Sequence, residues 1–331
     1  MNGKEVNQIF EQFSQMRALV IGDAMVDTYL WGKVDRVSPE APIPIVSITK
    51  RESRLGGAAN VSLNLQSLGA NPVLFSVIGD DDKGRKFKKL LEKHQLNSEG
   101  VFVDSNRITT VKSRIIGKGQ HIARVDEESV EFISNEIEQS LIAGIRKEIE
   151  QNRVDVIIFV DYDKGAVTPT LFEAVNNLAI EKGIPTAVDP KKRNFRHYKN
   201  VGLFKPNFKE FVDGIGLPIE KGDFNTLRSV AHELKEKNNF KLIFVTLSEL
   251  GVFISNGVKE QYYPAVIRHI ADVSGAGDTV ISVASLALAA KLPPKIMAMM
   301  SNIAGGLVCE NLGVVPVDKN QLMAVMKSQK I

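Results

Sequence analysis

The chain has 331 residues, of which 44% are hydrophobic and 24% charged, with 42 Lys and Arg against 39 Asp and Glu. That apolar content excludes disorder, and a net charge of +3 is too small and too dispersed to argue for a nucleic-acid partner. A single cysteine, Cys309, excludes an internal disulfide and a cysteine-built zinc site; with no secretory leader, it points to a reducing cytoplasm.

The polar opening, residues 2–16, predicts a helix. Residues 18–23, Ala-Leu-Val-Ile-Gly-Asp, are apolar and close on a small and an acidic residue, the pattern of a buried parallel strand. Similar runs follow at 72–80, 154–161, 184–189 and 242–246, separated by helix-like segments. The fold class is therefore α/β, with a central, mostly parallel sheet covered on both faces. Such sheets bind ligands beyond the carboxyl ends of their strands, where Asp23, Asp80, Asp161 and Asp189 stand. Each of these could cap a helix instead.

Two stretches break the rhythm, residues 28–54 and residues 109–126, the second alternating β-branched residues with Lys112, Arg114, Lys118 and Arg124. Both read as short antiparallel strands of a small discontinuous flap inserted into one domain spanning 1–331. No apolar run reaches the roughly 20 residues that cross a bilayer, so no membrane partner is expected.

The sharpest motif is Asp272-Val273-Ser274-Gly275-Ala276-Gly277-Asp278-Thr279, leading into a run of small apolar residues. Glycines before a helix let several backbone N–H groups converge, and the helix dipole adds positive potential, which together suit a phosphate. Asp278 in the first turn would be held ionised by that dipole, as a weak base. Weak is sufficient where a carboxylate only orients a hydroxyl and takes its proton late, as in phosphoryl transfer. The same residues also fit an ordinary helix start with Asp278 as a capping acid. A dinucleotide fingerprint would need glycine at Val280, and no Walker-type loop occurs. A second glycine pair opens Gly56-Gly57-Ala58-Ala59-Asn60, whose small residues admit a close ligand and whose Asn60 offers a donor and an acceptor to a sugar hydroxyl. Tight helix–sheet packing explains the alanines equally well.

With Gly79-Asp80-Asp81 and Lys205-Pro206-Asn207-Phe208-Lys209-Glu210, these motifs in this order resemble the ribokinase-like (PfkB) carbohydrate kinases over nearly the whole chain. Within that family, Gly22-Asp23-Ala24-Met25-Val26-Asp27, Arg36-Val37-Ser38-Pro39-Glu40-Ala41-Pro42, Asp161-Tyr162-Asp163-Lys164-Gly165 and Asp189-Pro190-Lys191 resemble the D-glycero-β-D-manno-heptose-7-phosphate kinases. Val160, Asp163, Lys205 and Ser274 depart from the usual Ser, Ala, Thr and Thr.

The resemblance implies a three-layer α/β/α fold and ATP-dependent phosphorylation of the C1 hydroxyl of a heptose 7-phosphate for ADP-heptose and lipopolysaccharide-core synthesis. Another substrate (fructose, ribose, 2-keto-3-deoxygluconate or a sugar phosphate) is the alternative, and after it a non-catalytic sugar- or nucleotide-binding regulator. It makes Asp278 the base, with the backbone of Gly275, Ala276 and Gly277 as anion hole. Asn207 and Glu210 would organise nucleotide phosphates and Mg2+, Glu210 through water, and Thr246, Ser248, Gly251 and Asn302 would contact the nucleotide. Asp23, Asp27, Asp161, Gly56, Gly57 and Asn60 would hold the sugar, and Arg36, Lys112, Arg114, Arg124, Lys164 and Lys191 could converge on its phosphate. A monovalent cation behind the anion hole and a homodimer formed through the flap complete what the resemblance implies. Some relatives add a nucleotidyltransferase of about 150 residues, an ordinary domain; this chain stops soon after Leu312-Gly313-Val314-Val315, so the kinase alone is expected. The five histidines lack metal-ligand spacing, and Lys86, Lys88 and Lys89 read as a solvated helix face.

Overall fold

Successive side chains of a strand point to opposite faces of its sheet, and in β1 (Arg17–Gly22) both faces are apolar. Ala18 and Val20 enter one buried cluster, whereas Leu19 and Ile21 enter another. That alternation makes the sheet the middle of three layers. The computed structural model describes residues 2–117, 119–266 and 269–329; Lys118, one of the cations noted above, lies outside them.

The remaining strands are β2 (Ala24–Val37), β3 (Pro44–Gly57), β4 (Asn71–Gly79), β5 (Val101–Asp104), β6 (Val111–Gly117), β7 (Gln120–Glu127), β8 (Val156–Val160), β9 (Thr186–Asp189), β10 (Leu203–Phe204), β11 (Leu242–Thr246), β12 (Val252–Ser255) and β13 (Glu260–Tyr263). The helices are α1 (Gly3–Phe13), α2 (Ala58–Ser67), α3 (Asp82–Lys93), α4 (Asn135–Gln151), α5 (Pro169–Glu181), α6 (Phe208–Ile215), α7 (Phe224–Asn238), α8 (Ala276–Ala289), α9 (Pro294–Val308) and α10 (Lys319–Ser328). The nine-stranded sheet runs β13-β12-β11-β10-β9-β8-β1-β4-β5 and is parallel from β11 through β5, with an antiparallel edge at β12 and β13. Apolar residues of α1, α2, α3, α8, α9 and α10 pack on one face and those of α4, α5, α6 and α7 on the other. Among the described residues no helix is long and apolar enough to cross a membrane.

The flap is a second sheet in the order β3-β2-β6-β7. It differs from the expectation of short antiparallel strands in two ways. β2 and β3 are 14 residues each, and β2 begins at Ala24, with only Asp23 between it and the end of β1. The β2–β6 pair is parallel, because β6 is reached through the main-sheet elements α2, β4, α3 and β5 rather than through a hairpin. β1 therefore feeds directly into the flap, and Asp23 sits at the junction. Ser76 of β4 fixes that junction by donating to the Gly22 carbonyl at 2.6 Å and accepting from the Ala24 N–H at 3.0 Å.

Two helices position the site. In α2 every residue from Ala58 to Leu65 is buried, and in α8 every residue from Asp278 to Ala287. Small residues let the two helices approach, and a buried amide joins them. Asn64 Oδ1 accepts from Thr279 Oγ1 at 2.8 Å and from the Val317 N–H at 3.0 Å, while its Nδ2 donates to the Asn60 carbonyl at 2.9 Å. Asn64→Ala strands two buried donors, each costing about 1–3 kcal/mol. Denaturant unfolding should show a stability loss in that range or above; an unchanged midpoint would contradict this role for the amide.

Candidate active site

Gly275 caps α8 with φ of +82°, a left-handed conformation that glycine adopts without a Cβ penalty, and no side chain bonds to this helix end. The Ala276 N–H bonds the Val273 carbonyl at 3.3 Å, so an anion at the carboxyl edge of the sheet would meet the uncapped N–H groups beside it at this helix start. Gly277 leaves that approach clear: a Cβ there would lie 3.7 Å from Lys205 Nζ. Lys205 is only 2% exposed, and its ammonium pairs with Asp189 at the end of β9, 2.9 Å away. A buried cation thereby stands beside the helix start.

Asp278, third in α8, is 2% exposed. Asn60 Nδ2 donates to its Oδ2 at 2.7 Å and Tyr162 Oη to its Oδ1 at 2.6 Å. Burial pushes its pKa up to about 6; the bonds from Asn60 and Tyr162 and the charge of Lys205 favour the ionised form, while Asp189 opposes it. The carboxylate is thus a stronger base than the helix dipole alone led us to expect. A carboxyl that is mostly ionised at neutral pH yet close to its own pKa is well matched to accepting a hydroxyl proton.

Asn60, expected at a sugar hydroxyl, spends its amide N–H on Asp278, and α2 carries it there. Asp23 accepts three backbone N–H groups, from Tyr162 (2.8 Å), Lys164 (3.1 Å) and Ala166 (2.8 Å), so its carboxylate shapes the loop after β8. Burial nonetheless pushes its pKa up. Asp161 serves the same loop, accepting from Asn194 (3.0 Å), Tyr198 (2.7 Å) and the Asp163 N–H (2.8 Å); burial and the nearby Asp23 raise it to about 6. Asp27 is buried and ion-paired with Arg114, whose guanidinium also lies over the Tyr29 ring. Burial raises the pKa of Asp27 even against Arg114. Gly56 and Gly57 line this end at close quarters: a Cβ on Gly56 would fall 2.1 Å from Asp27 Oδ2, and one on Gly57 2.3 Å from the Asp23 carbonyl.

The flap reaches over α8 through the segment 312–314. Tyr29 Oη accepts the Val314 N–H at 2.8 Å, and Arg54 Nη1 donates to the carbonyls of Leu312 (3.2 Å) and Val314 (3.0 Å). Gly313 N–H in turn donates to Asp272 at 3.0 Å, and Asp272 accepts from the Ser274 N–H and hydroxyl. Although burial pushes Asp272 up, those bonds outweigh it and hold the carboxyl below its usual range. His121 of β7 lies 3.3 Å from the same carboxylate.

Asn207 caps α6 and Glu210 closes the reciprocal capping box, its carboxylate also pairing with Lys191. Lys191 lies 5.1 Å over the Tyr162 ring. Thr246 ends β11 and forms a bridge with Asn207, and Ser248 and Gly251 bound the single turn that follows. Asn302 of α9 donates to the Pro264 carbonyl at 2.8 Å. Asn207 and Glu210 offer oxygen donors that suit a hard cation, and among the described residues no three His, Cys, Asp or Glu side chains form a metal cage. Such a cation would depend on ligand oxygens and water for most of its shell.

The cations separate into groups. Lys112 and Lys164 both face Glu128, Arg124 is exposed and bonds Asp126, and Arg36 is exposed on the outer half of β2. Arg193 pairs with Asp163, neutralising the charge by which this loop departs from the resemblance. Tyr162 and Lys205 are the functional candidates that the sequence reading left without a role. Lys205 stood out only as a departure from the usual threonine, and nothing in the Asp-Tyr-Asp-Lys-Gly motif shows where the phenol points.

Residues 16–320 match the profile of the pfkB family carbohydrate kinases. The bifunctional protein HldE of Trichlorobacter lovleyi is 36% identical over 328 residues, covering 98% of this chain and 66% of that protein. HldE of Desulfatibacillum aliphaticivorans is 39% identical over 320 residues, covering 96% and 65%. The chain thus spans about two thirds of the length of the curated relatives it matches. Among solved structures, phosphofructokinase-2 of Escherichia coli in complex with substrates and products superimposes with a TM-score of 0.77 at 18% identity, covering 94% of this chain and 98% of that one. Arabidopsis thaliana ribokinase complexed with ribose and ATP gives 0.71 at 16% identity, covering 93% and 98%.

Tyr162→Phe removes a donor to the ionised form of Asp278, so the carboxyl pKa should rise and the acid limb of kcat/KM should move to higher pH. A pH–rate profile checks this; a limb that stays put or moves to lower pH would show that Tyr162 does not support the base.

Proposed function

Because this chain belongs to the pfkB family of carbohydrate kinases, we propose that it transfers the γ-phosphoryl group of ATP to the C1 hydroxyl of D-glycero-D-manno-heptose 7-phosphate. The product is the 1,7-bisphosphate, a step toward ADP-heptose for the lipopolysaccharide core. The observation that carries the phosphoryl-transfer reading is Asp278, buried beside the uncapped start of α8 and oriented by two donors. The choice of sugar is supported by the subgroup motifs and by HldE relatives that are 36–39% identical.

In this reading Asp278 takes the proton of the C1 hydroxyl as its oxygen bonds to the γ-phosphorus, and ADP leaves with the electrons of the broken P–O bond. The N–H groups of Gly275, Ala276 and Gly277 hold the charge on the transferring phosphoryl group. Lys205 adds a fixed positive charge beside them. Thr246, Ser248, Gly251 and Asn302 flank the nucleotide. Mg2+, when bound with ATP, neutralises phosphate charge; Asn207 and Glu210 are the residues placed to hold its waters. A monovalent cation behind the anion hole belongs to the same reading; phosphofructokinase-2 of Escherichia coli has been solved in complex with potassium.

We read residues 1–331 as one kinase domain with the flap inserted, acting in the cytoplasm. A homodimer through the flap is supported by the exposed apolar side chains Val37, Ile48 and Val125 on that sheet. Sedimentation at twice the 36.4 kDa chain mass is the corresponding outcome.

The test is ADP release with a sugar panel in the presence of Mg2+. Turnover should be fastest with the heptose 7-phosphate; turnover of fructose, ribose or 2-keto-3-deoxygluconate with none on the heptose phosphate would assign another sugar. Binding of sugar and ATP without any turnover would make the protein a regulator.

A further inference from the structure

Resting on the reading that Glu210 organises the metal of a bound nucleotide, we propose that Lys191 competes with that metal. Before the nucleotide arrives the Lys191 ammonium neutralises the Glu210 carboxylate, and a divalent cation must displace it in order to bind.

Both oxygens of Glu210 are engaged. Oε2 accepts the Asn207 N–H at 2.8 Å as half of the capping box, and Oε1 takes the Lys191 ammonium. The capping bond belongs to the fold, because Asn207 Oδ1 accepts the Glu210 N–H at 2.9 Å in return and Asn207 is tied to Thr246 at the end of β11. Oε1 is therefore the oxygen left for a metal or its water, and Lys191 holds it. An ammonium and a divalent cation brought to one carboxylate repel each other, and at a largely buried group little water screens that repulsion. The two exclude one another.

A second lysine nearby shows which charge is fixed and which can move. The Lys205 side chain is 2% exposed and bonds Asp189 at 2.9 Å, so its departure would strand a buried charge. Lys191 follows Asp189 by two residues, but 29% of its side chain is exposed, and its ammonium is held by Glu210 and the face of the Tyr162 ring. A flexible stem that already reaches solvent can release Glu210 and be hydrated at once. The carboxylates nevertheless need a cation between them: Glu210 repels Asp189, and Lys191 attracts both. Lys191 meets that need until a metal takes its place.

The test is a titration of Mn2+, a paramagnetic substitute for Mg2+ followed by its EPR signal, into the native protein, Lys191→Met and Lys191→Arg, each saturated with ADP. Removing the competitor should lower the half-saturating Mn2+ concentration about 10-fold in Lys191→Met, the scale of one charged hydrogen bond. Lys191→Arg keeps the charge and should stay near native. A lysine that only packs would leave the Lys191→Met midpoint unchanged or raise it, and either result overturns the proposal. Should Lys191→Met not fold, the native protein crystallised with Mn2+ and ADP decides: Mn2+ beside Glu210 with Lys191 moved out of hydrogen-bond range is expected, and Mn2+ there with the ion pair intact contradicts the exchange while the metal reading stands. If the native protein with ADP takes up no Mn2+, or holds it away from Glu210, the metal reading of Glu210 falls and the exchange with it.

Discussion

The carboxylate of Asp278, held in a buried position by one amide and one phenol, is the constraint on which the site depends. Burial alone would neutralise a carboxyl group, and a neutral acid at the start of α8 could not take a proton. The donors from Asn60 and Tyr162 keep the ionised form accessible, leaving a pKa of about 6. Each donor arrives on a different element: Asn60 on α2 and Tyr162 on the loop after β8. Their convergence requires α2 to lie flush against α8, which the small residues and Asn64 secure.

The same economy governs the sugar end. Asp23 occupies the single residue between β1 of the main sheet and β2 of the flap, and its carboxylate gathers three N–H groups of the loop that carries Tyr162 and Lys164. The flap in turn fastens to the 312–314 segment through Tyr29 and Arg54, and that segment bonds Asp272 ahead of the glycine turn. Flap, sugar loop and anion site are therefore linked by short hydrogen bonds. A change in the flap has a direct route to the start of α8.

Much of this was legible in the sequence because its signals are local. Apolar runs ending in Gly-Asp or Asp marked β1, β4, β8 and β9, and glycines before small residues marked the starts of α2 and α8. β10 was not legible, since two residues carry no periodicity, and the parallel β2–β6 pairing joins segments far apart in the chain. Side-chain roles were harder still. Asp23 and Asp161 read as ligand acids yet spend their oxygens on backbone and neighbouring side chains, and Asn60 turns to Asp278. Such commitments depend on which loop folds back on which strand, so residue type alone could not reveal them.

The central claim is that the Asp278 carboxylate, and not merely the helix start beside it, performs the proton transfer. Asp278→Asn preserves size and one acceptor oxygen while removing the base, and the Tyr162 hydroxyl can turn to accept from the new amide, so ATP affinity measured by calorimetry should remain near native. Turnover should fall by about 10²- to 10⁴-fold, the usual contribution of a general base. Native-like turnover with native-like ATP binding would contradict the account.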